Sequence, residues 1–328
     1  MTGVVVVGSL NRDYVCSVDR LPTPGETRLG SQLTLHSGGK GGNQAVAAAL
    51  VGAVADVPCA IVGSVGDDPD GAALLEDLRA AGVDTDAVVV SPGVRTGAAL
   101  ITVAADGENT IVVASGANHA VPGPWVSQAV DRLVGPDTVV LMQGELQVAV
   151  IEETVRRAAA AGARVVINLA PFTSLAEDVL RLGDPVVVNE SEAAAMLGSR
   201  ALAGAADEPA RTPGLPTGES AALALAAVAR SAVLTLGAAG ALVAVNGSCI
   251  RLPTSAVDVV DTTGAGDAFT GALAAGLAAG HDLEAAAGWG LAVASWSVGR
   301  AGAQASYPRG ADCARLLGTT ATPRRGDS

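Results

Sequence analysis

Short, uninterrupted β-branched runs recur along this chain, with alanine-rich stretches of helical character between them. The runs fall at 4–7, 60–62, 139–142, 164–168, 186–188 and 232–236, and the helical stretches at about 43–53, 70–81, 147–161 and 220–230. A strand that is apolar on both sides needs cover on both faces. The alternation therefore predicts an α/β protein whose mostly parallel central sheet lies between two helical layers.

Two regions break the rhythm. Residues 12–36 alternate polar and apolar around LPTPGET, and 96–114 read as two strands around an Ala105-Asp106-Gly107-Glu108 turn. Half-exposed strands do not suit the central sheet. They predict a small accessory β-sheet built from two distant segments (about 12–36 and 96–117), serving either as a lid over a cleft or as an ordinary edge hairpin. The stretch 199–219, rich in Pro, Gly and Ala, predicts an exposed irregular loop, and 319–328 a disordered tail.

At 328 residues the chain has room for two ordinary domains or one large α/β domain. Hydrophobic residues make up 49% and aromatics only 2%, so Ala, Val, Leu and Gly must fill the interior. A net charge of −13 argues against nucleic acid, where binding rests on Lys and Arg neutralising phosphates. ATP is still compatible with an acidic protein if local donors and a metal shield its phosphates. Cys16, Cys59, Cys249 and Cys313 are scattered without a CxxC pair, which fits reduced thiols in a cytoplasmic protein. VVVVG at 4–8 is too short for a signal-peptide core, and no apolar run reaches the ~18 residues of a membrane span. The nearest candidate, 268–280, reads as a buried helix.

DTTGAGDAF at 261–269 is the most informative stretch. A β-like run at 256–260 precedes Asp261, and a helix is expected to begin near Ala265–Asp267. A helix start offers unpaired N–H groups and the positive end of its dipole to an anion. Gly264 and Gly266 let backbone approach a phosphate, and Asp267 in the first turn could take a hydroxyl proton during phosphoryl transfer. Asp267 could equally be a simple helix cap. SGGKGGNQAVAAA at 37–49 sets Lys40 and Asn43 at a glycine-rich turn before a helix, which suits a ligand rich in hydroxyls; a capped turn with a solvent lysine is the alternative. GSLNRD at 8–13 puts Asn11 and Asp13 after the first strand, as a ligand site or as a surface turn. Lys40 is followed by Gly41, so there is no P-loop, and Phe269 breaks the dinucleotide-binding GxGxxG pattern.

GSLNRD, PTPGET, SGGKGGNQA, GENT, SGAN, LMQGE, NLAP, VNESE, TLGAAG, DTTGAGDAF and GAQAS follow one another in an order that resembles the ribokinase-like (phosphofructokinase-B type) carbohydrate kinases, across roughly residues 3–308. The resemblance implies one three-layer α/β/α kinase domain over 1–318 with a β-sheet lid. It implies transfer of the ATP γ-phosphoryl to the 5-hydroxyl of D-ribose, giving D-ribose 5-phosphate and ADP. Asp267 would be the base, with Gly264, Ala265 and Gly266 as anion hole. Asn11, Asp13, Gly39, Lys40, Asn43 and Glu145 would contact the sugar. Asn189, Thr235, Gly237, Gly240 and Gly266 would bind ATP, and Asn189 with Glu192 would organise Mg²⁺ and phosphate. An activating K⁺ would sit among Asp261, Thr263, Ser297, Arg300, Gly302 and Ser306. The resemblance also implies a homodimer formed through the lid.

Some positions depart from the family pattern. Gly290 stands where a His or Asn commonly lies against adenine, with Trp289 as a possible substitute; NLAP has Leu where Pro is usual, and the 199–219 loop is long. A kinase of another small sugar or of a nucleoside is one rival. The second base of a nucleoside would need aromatic stacking, and the chain has two Phe, two Tyr and three Trp. A sugar-binding regulator without catalysis is the other; the intact Asp267 and glycines speak against it.

Overall fold

The computed structural model describes residues 3–204 and 217–319. The central sheet holds nine strands: β1 Gly3–Val7, β4 Cys59–Gly66, β5 Val83–Ser91, β8 Thr138–Gln143, β9 Arg164–Asn168, β10 Gly183–Asn189, β11 Ser231–Thr235, β12 Ala241–Val245 and β13 Ser248–Leu252. Their spatial order is β13-β12-β11-β10-β9-β8-β1-β4-β5. Every neighbouring pair is parallel except β11–β12 and β12–β13, which are antiparallel.

Helices α1 Lys40–Ala55, α2 Pro69–Ala80, α9 Ala265–Ala278, α10 Leu283–Val298 and α11 Gly310–Leu317 cover one face. The other face carries α4 Gly123–Leu133, α5 Val148–Ala160, α6 Glu177–Leu180, α7 Glu190–Gly204 and α8 Gly218–Ala226, and α3 Ala117–Ala120 precedes α4. The period-2 pleat divides β1 between the two layers: Val4 and Val6 join the first core, Val5 and Val7 the second. All four are fully buried, which is why this run reads as continuously apolar. With so few aromatics, α9 and α10 approach closely. A Cβ on Gly290 would lie 2.8 Å from Phe269, so this helix contact needs glycine there.

Strands β2 Asn11–Ser17, β3 Gln32–Gly38, β6 Gly97–Val103 and β7 Asn109–Ala114 form the separate small sheet, ordered β3-β2-β6-β7. Its two faces differ. Register aligns Leu35, Tyr14, Leu100 and Val112 in one row, while Asn11 and Asp13 belong to the opposite pleat. Tyr14 Oη donates to Asp70 at 2.5 Å, and Arg12 lies 3.8 Å from Asp77, so β2 is tied to α2.

Two expectations need correction. Residues 256–260 form no strand: they pass beside α10, with Val260 N–H on the Val298 carbonyl at 2.8 Å, and Val259 and Val260 are exposed. Helix α7 continues through 204 and α8 begins at Gly218, so the expected 199–219 loop is shorter at both ends; 205–216 lie outside the described residues, as does the tail beyond 319.

Candidate active site

The sheet reverses its winding between β1 and β8: from β1 the chain steps outward to β4 and β5, then returns to β8 and proceeds the other way. Open α/β sheets bind ligands beyond the carboxyl ends of strands at such a point. Ser9 and Asn11 follow β1 there. Gln143 ends β8 with Glu145 close behind, and Asn168, Asn189 and Thr235 end β9, β10 and β11.

Helix α9 starts at the same edge. Its N-cap Gly264 has φ 73°, and a Cβ there would lie 2.6 Å from that of Ala303, so both the left-handed turn and the crowding require glycine. Ala265 N–H turns back onto the Thr262 carbonyl at 3.2 Å, which removes it from a free three-residue anion hole. Gly266 and Asp267 then supply first-turn amides that precede the helix's own i→i−4 bonds. A cleft of ≈ 250 Å³ opens beside them, lined also by Lys40, Asn168, Asn189, Glu192 and Thr235.

Asp267 is buried, and both its oxygens are engaged from α1. Asn43 Nδ2 donates to Oδ2 at 3.0 Å and Gln44 Nε2 to Oδ1 at 2.9 Å. The glycine-rich turn thus reaches the carboxylate 224 residues further along the chain. Gly39 caps α1 with φ 79° and lies so close to the backbone of Ser9 and Asn11 that a Cβ would be 2.7 Å from Asn11 N. Lys40 N–H donates to Glu145 at 3.0 Å, and the Ser9 hydroxyl donates to the same carboxylate. Asn11 accepts from Asn118 Nδ2 at 2.7 Å.

Charge is concentrated here. Asp13 is pushed up to about 7, by burial first and then by Glu145 and Asp267, with Arg12 opposing. The Lys40 ammonium rises chiefly because Asp267 faces it; burial opposes this, and Glu145 and Glu192 add to it. Burial also raises Glu192, while the Asn189 N–H and Lys40 pull it down. One lysine thus sits among several carboxylates, an arrangement suited to a ligand that brings hydroxyls on one side and a cation-shielded phosphate on the other.

Asn189 and Glu192 exchange hydrogen bonds, Asn189 N–H to Glu192 at 2.9 Å and Glu192 N–H to Asn189 at 2.8 Å, making a capping box for α7. Glu192 Oε1 takes no part in it. A hard, half-buried carboxylate beside a phosphate-sized cleft fits Mg²⁺, which binds through one or two carboxylates and keeps several waters.

Of the residues expected around K⁺, Asp261, Thr263 and Gly302 are joined directly. Asp261 accepts from Thr263 N–H at 2.9 Å and Gly302 N–H at 2.7 Å, closing the 261–263 and 300–302 loops on each other. Burial raises the Asp261 carboxyl, but those bonds outweigh it and the net direction is down. Ser297 and Ser306 are buried and donate to the Ala294 and Ala303 carbonyls, so their own oxygens keep lone pairs. This hard-oxygen set fits K⁺ chemistry. The Arg300 side chain lies over Trp296, 3.7 Å from the ring centroid, which leaves only its backbone for that site. No cluster of three or more His, Cys, Asp or Glu suited to a metal occurs among the described residues.

A model of the pfkB family carbohydrate kinases matches residues 1–309. The chain belongs to that family. Ribokinase of Bacillus subtilis is 34% identical over 317 residues, covering 97% of this chain and 100% of that protein. Ribokinase of Mus musculus is 35% identical over 310 residues, covering 93% and 91%. Among solved structures, a Thermotoga maritima ribokinase matches with TM-score 0.84 at 29% identity, covering 97% of this chain and 99% of that one. An Arabidopsis thaliana ribokinase complexed with ribose and ATP gives 0.81 at 28% identity, with the same coverage.

Within this pfkB fold some expected residues stand apart from the cleft. Gly237 lies in an exposed turn after β11, and a Cβ on Gly240 would lie 2.0 Å from the Leu252 carbonyl, so Gly240 serves the β12–β13 hairpin at least as much as any nucleotide. Gly290 and Trp289 face α9 and its turn, against Phe269 and against His281 (ring centroids 4.4 Å apart), and neither lines the cleft.

Gln44, Gln143, Asn168, Gln304 and Tyr307 also belong to the site, though no motif assigns them a role there. Gln304 Nε2 donates to Asn43 at 2.9 Å and Tyr307 Oη to the Gly264 carbonyl at 3.1 Å. A signal existed for two of them: VVLMQ and RVVIN each end an apolar run with an amide.

Proposed function

We propose that this pfkB-family protein is an ATP-dependent D-ribose kinase that forms D-ribose 5-phosphate and ADP. One observation carries the reading: the GGKGGNQ turn, suited to a sugar, and the GAGD helix start, suited to a phosphate, meet at the single carboxylate of Asp267. Asp267 accepts the proton of the 5-hydroxyl, whose oxygen bonds to the γ-phosphorus as the bond to the β–γ bridging oxygen breaks and ADP leaves. The first-turn amides of Gly266 and Asp267, with Gly264 shaping the turn, stabilise charge on the transferring group.

Asn11, Asp13, Gly39, Lys40, Asn43 and Glu145 hold the sugar, with Asp13 and Glu145 accepting from its hydroxyls. Thr235, Asn189 and the 237–240 turn bind ATP. Mg²⁺ arriving with ATP would be held through Asn189 and Glu192 and would neutralise phosphate charge. K⁺ would be held by Asp261, Ser306 and the backbone oxygens of Thr263, Ser297, Arg300 and Gly302, fixing the loop ahead of α9.

The small sheet is read as a lid, with Asn11 and Asp13 on its inner pleat. Its other pleat exposes Leu35, Leu100 and Val112 in one row, which fits a homodimer formed through this sheet.

A panel of sugars and nucleosides, assayed for ADP release with Mg²⁺ and K⁺, tests the reading. D-ribose should stimulate turnover most, and Asp267→Asn should lower kcat by about 10²–10⁴-fold with ribose binding largely kept. Preference for another sugar or a nucleoside would sink the ribose assignment. Full activity in Asp267→Asn would sink the assignment of the base.

A further inference from the structure

Behind Asp267 runs a row of amide side chains whose direction the backbone sets. Asn168 Nδ2 donates at 3.0 Å to the Val187 carbonyl, a group that only accepts. That turns Asn168 Oδ1 toward Gln44, whose Nε2 donates to it at 2.8 Å. The second hydrogen on the same Nε2 serves Asp267 Oδ1 at 2.9 Å. Gln44 Oε1 accepts from Gln143 Nε2 at 2.8 Å, so both hydrogens of the Gln44 amide and one lone pair of its oxygen are engaged.

An amide is free to flip unless its neighbours distinguish oxygen from nitrogen. Here they do. A flipped Gln44 would set its oxygen against both Asn168 Oδ1 and the Asp267 carboxylate; Gln143, whose own Oε1 is buried without a hydrogen-bond partner, does not by itself fix the direction. All three amides are buried, Gln44 at 0%, Gln143 at 2% and Asn168 at 6% exposure, so water cannot relieve those clashes. The other oxygen of Asp267 is held by Asn43, itself one of the proposed sugar contacts, whose amide has reason to move when sugar binds. Gln44 has no such reason.

We propose that Gln44, oriented by Asn168 and the Val187 carbonyl, is a positioning residue that fixes the Asp267 carboxylate for proton abstraction. The proposal rests on the reading of Asp267 as the base. Gln44 lines no part of the cleft and, of the proposed catalytic and sugar-contacting groups, hydrogen-bonds only the base, so its removal should disturb the chemical step and spare the sugar contacts.

Gln44→Met keeps the length of the side chain and removes its hydrogen bonds. It should lower kcat on the order of 10²-fold while the KM for ribose moves by less than about threefold. Asn168→Leu should lower kcat in the same direction, and the Gln44→Met/Asn168→Leu pair should be little worse than Gln44→Met alone, since the two act through one contact. Gln44→Glu places a second carboxyl on Asp267. The pair would then share a proton, and the acid limb of kcat against pH should move up by about one unit or more. Lys40, Asp13, Glu192 and Tyr307, which also face Asp267, are unchanged in every variant.

Thermal unfolding and ribose titration on each variant confirm the folded fraction. Three results overturn the proposal: folded Gln44→Met with wild-type kcat, additive losses in the pair, or an unmoved acid limb in folded Gln44→Glu. A wild-type protein without sugar-stimulated ADP release would overturn the kinase reading, and this proposal with it.

Discussion

Asp13 makes the sharpest quantitative test of the site. Its carboxyl stands where Glu145 and Asp267 also converge, and burial, then those two charges, push it from 3.8 up to about 7 against the pull of Arg12. Unfolding returns it to its ordinary value. Between about pH 4 and pH 7 the folded protein therefore holds a proton here that the unfolded chain has released, and this group's contribution to stability is lost as pH rises through that window. At about 1.4 kcal/mol per pH unit, a rise from 3.8 to about 7 corresponds to about 4 kcal/mol. That is a ceiling, because the half-buried carboxyl retains some water. Asp13→Asn keeps the shape and cannot ionise. Urea unfolding of both proteins, without sugar, should show nearly equal stability near pH 4. The variant should draw ahead as pH rises, reaching up to about 4 kcal/mol near pH 8. Taking the difference cancels the titrating groups that lie away from Asp13. A constant gap, or a wild type that gains on the variant with pH, would refute the convergence of carboxylates. The same variant should bind ribose more weakly, the usual exchange of function for stability at a strained site.

Other perturbations separate the remaining roles. Gly290→Ala drives a Cβ to 2.8 Å from Phe269, so unfolding should be easier by about 1–3 kcal/mol while the KM for ATP stays near wild type; a large KM change would restore Gly290 to the nucleotide site. Asp261→Ala removes the ties to Thr263 and Gly302, and rates in K⁺ should fall to those measured in Na⁺ alone; a variant still stimulated by K⁺ would place the monovalent site elsewhere. Leu100→Arg, on the exposed row of the small sheet, should convert a dimer to a monomer in sedimentation; an unchanged assembly would exclude that face as the interface.

The elements most plainly visible in the sequence were those whose environment leaves a simple pattern. Strand β1 is buried on both sides and reads as unbroken valine. The small sheet was visible because its strands alternate. Residues 256–260 misled because a β-branched run states only a preference for extended backbone. The partner they found was the end of α10, through Val298, in place of a strand. Helix α10 leaves a weaker signal in the sequence: its buried residues lie on one face, but Ala285, Gly288 and Ala292 on the other give it little of the polar face that marks an amphipathic helix. Gly290 misled in the opposite way. Its position suggested adenine, but a glycine on a packed helix answers first to the neighbouring helix, here through Phe269.

The chemistry was easier to read than its support, and the reason is topological. Gly264, Gly39 and Asp267 announce themselves locally, since a left-handed cap and a first-turn acid are events within a few residues. The amides that hold Asp267 are each unremarkable alone: a glutamine after a glycine turn, an asparagine closing a strand. Parallel strands, however, bring their carboxyl ends to one edge. Gln143 pairs with Asn168, Asn168 with Val187, and Asn189 with Thr235 in register, so polar residues that end apolar runs far apart in sequence become neighbours. Where the middle of these parallel strands is apolar, a buried amide at the last strand position finds no polar partner in the hydrophobic layers on either face. Once the winding is known, a row of them marks the edge where a charged side chain from a helix start must be received.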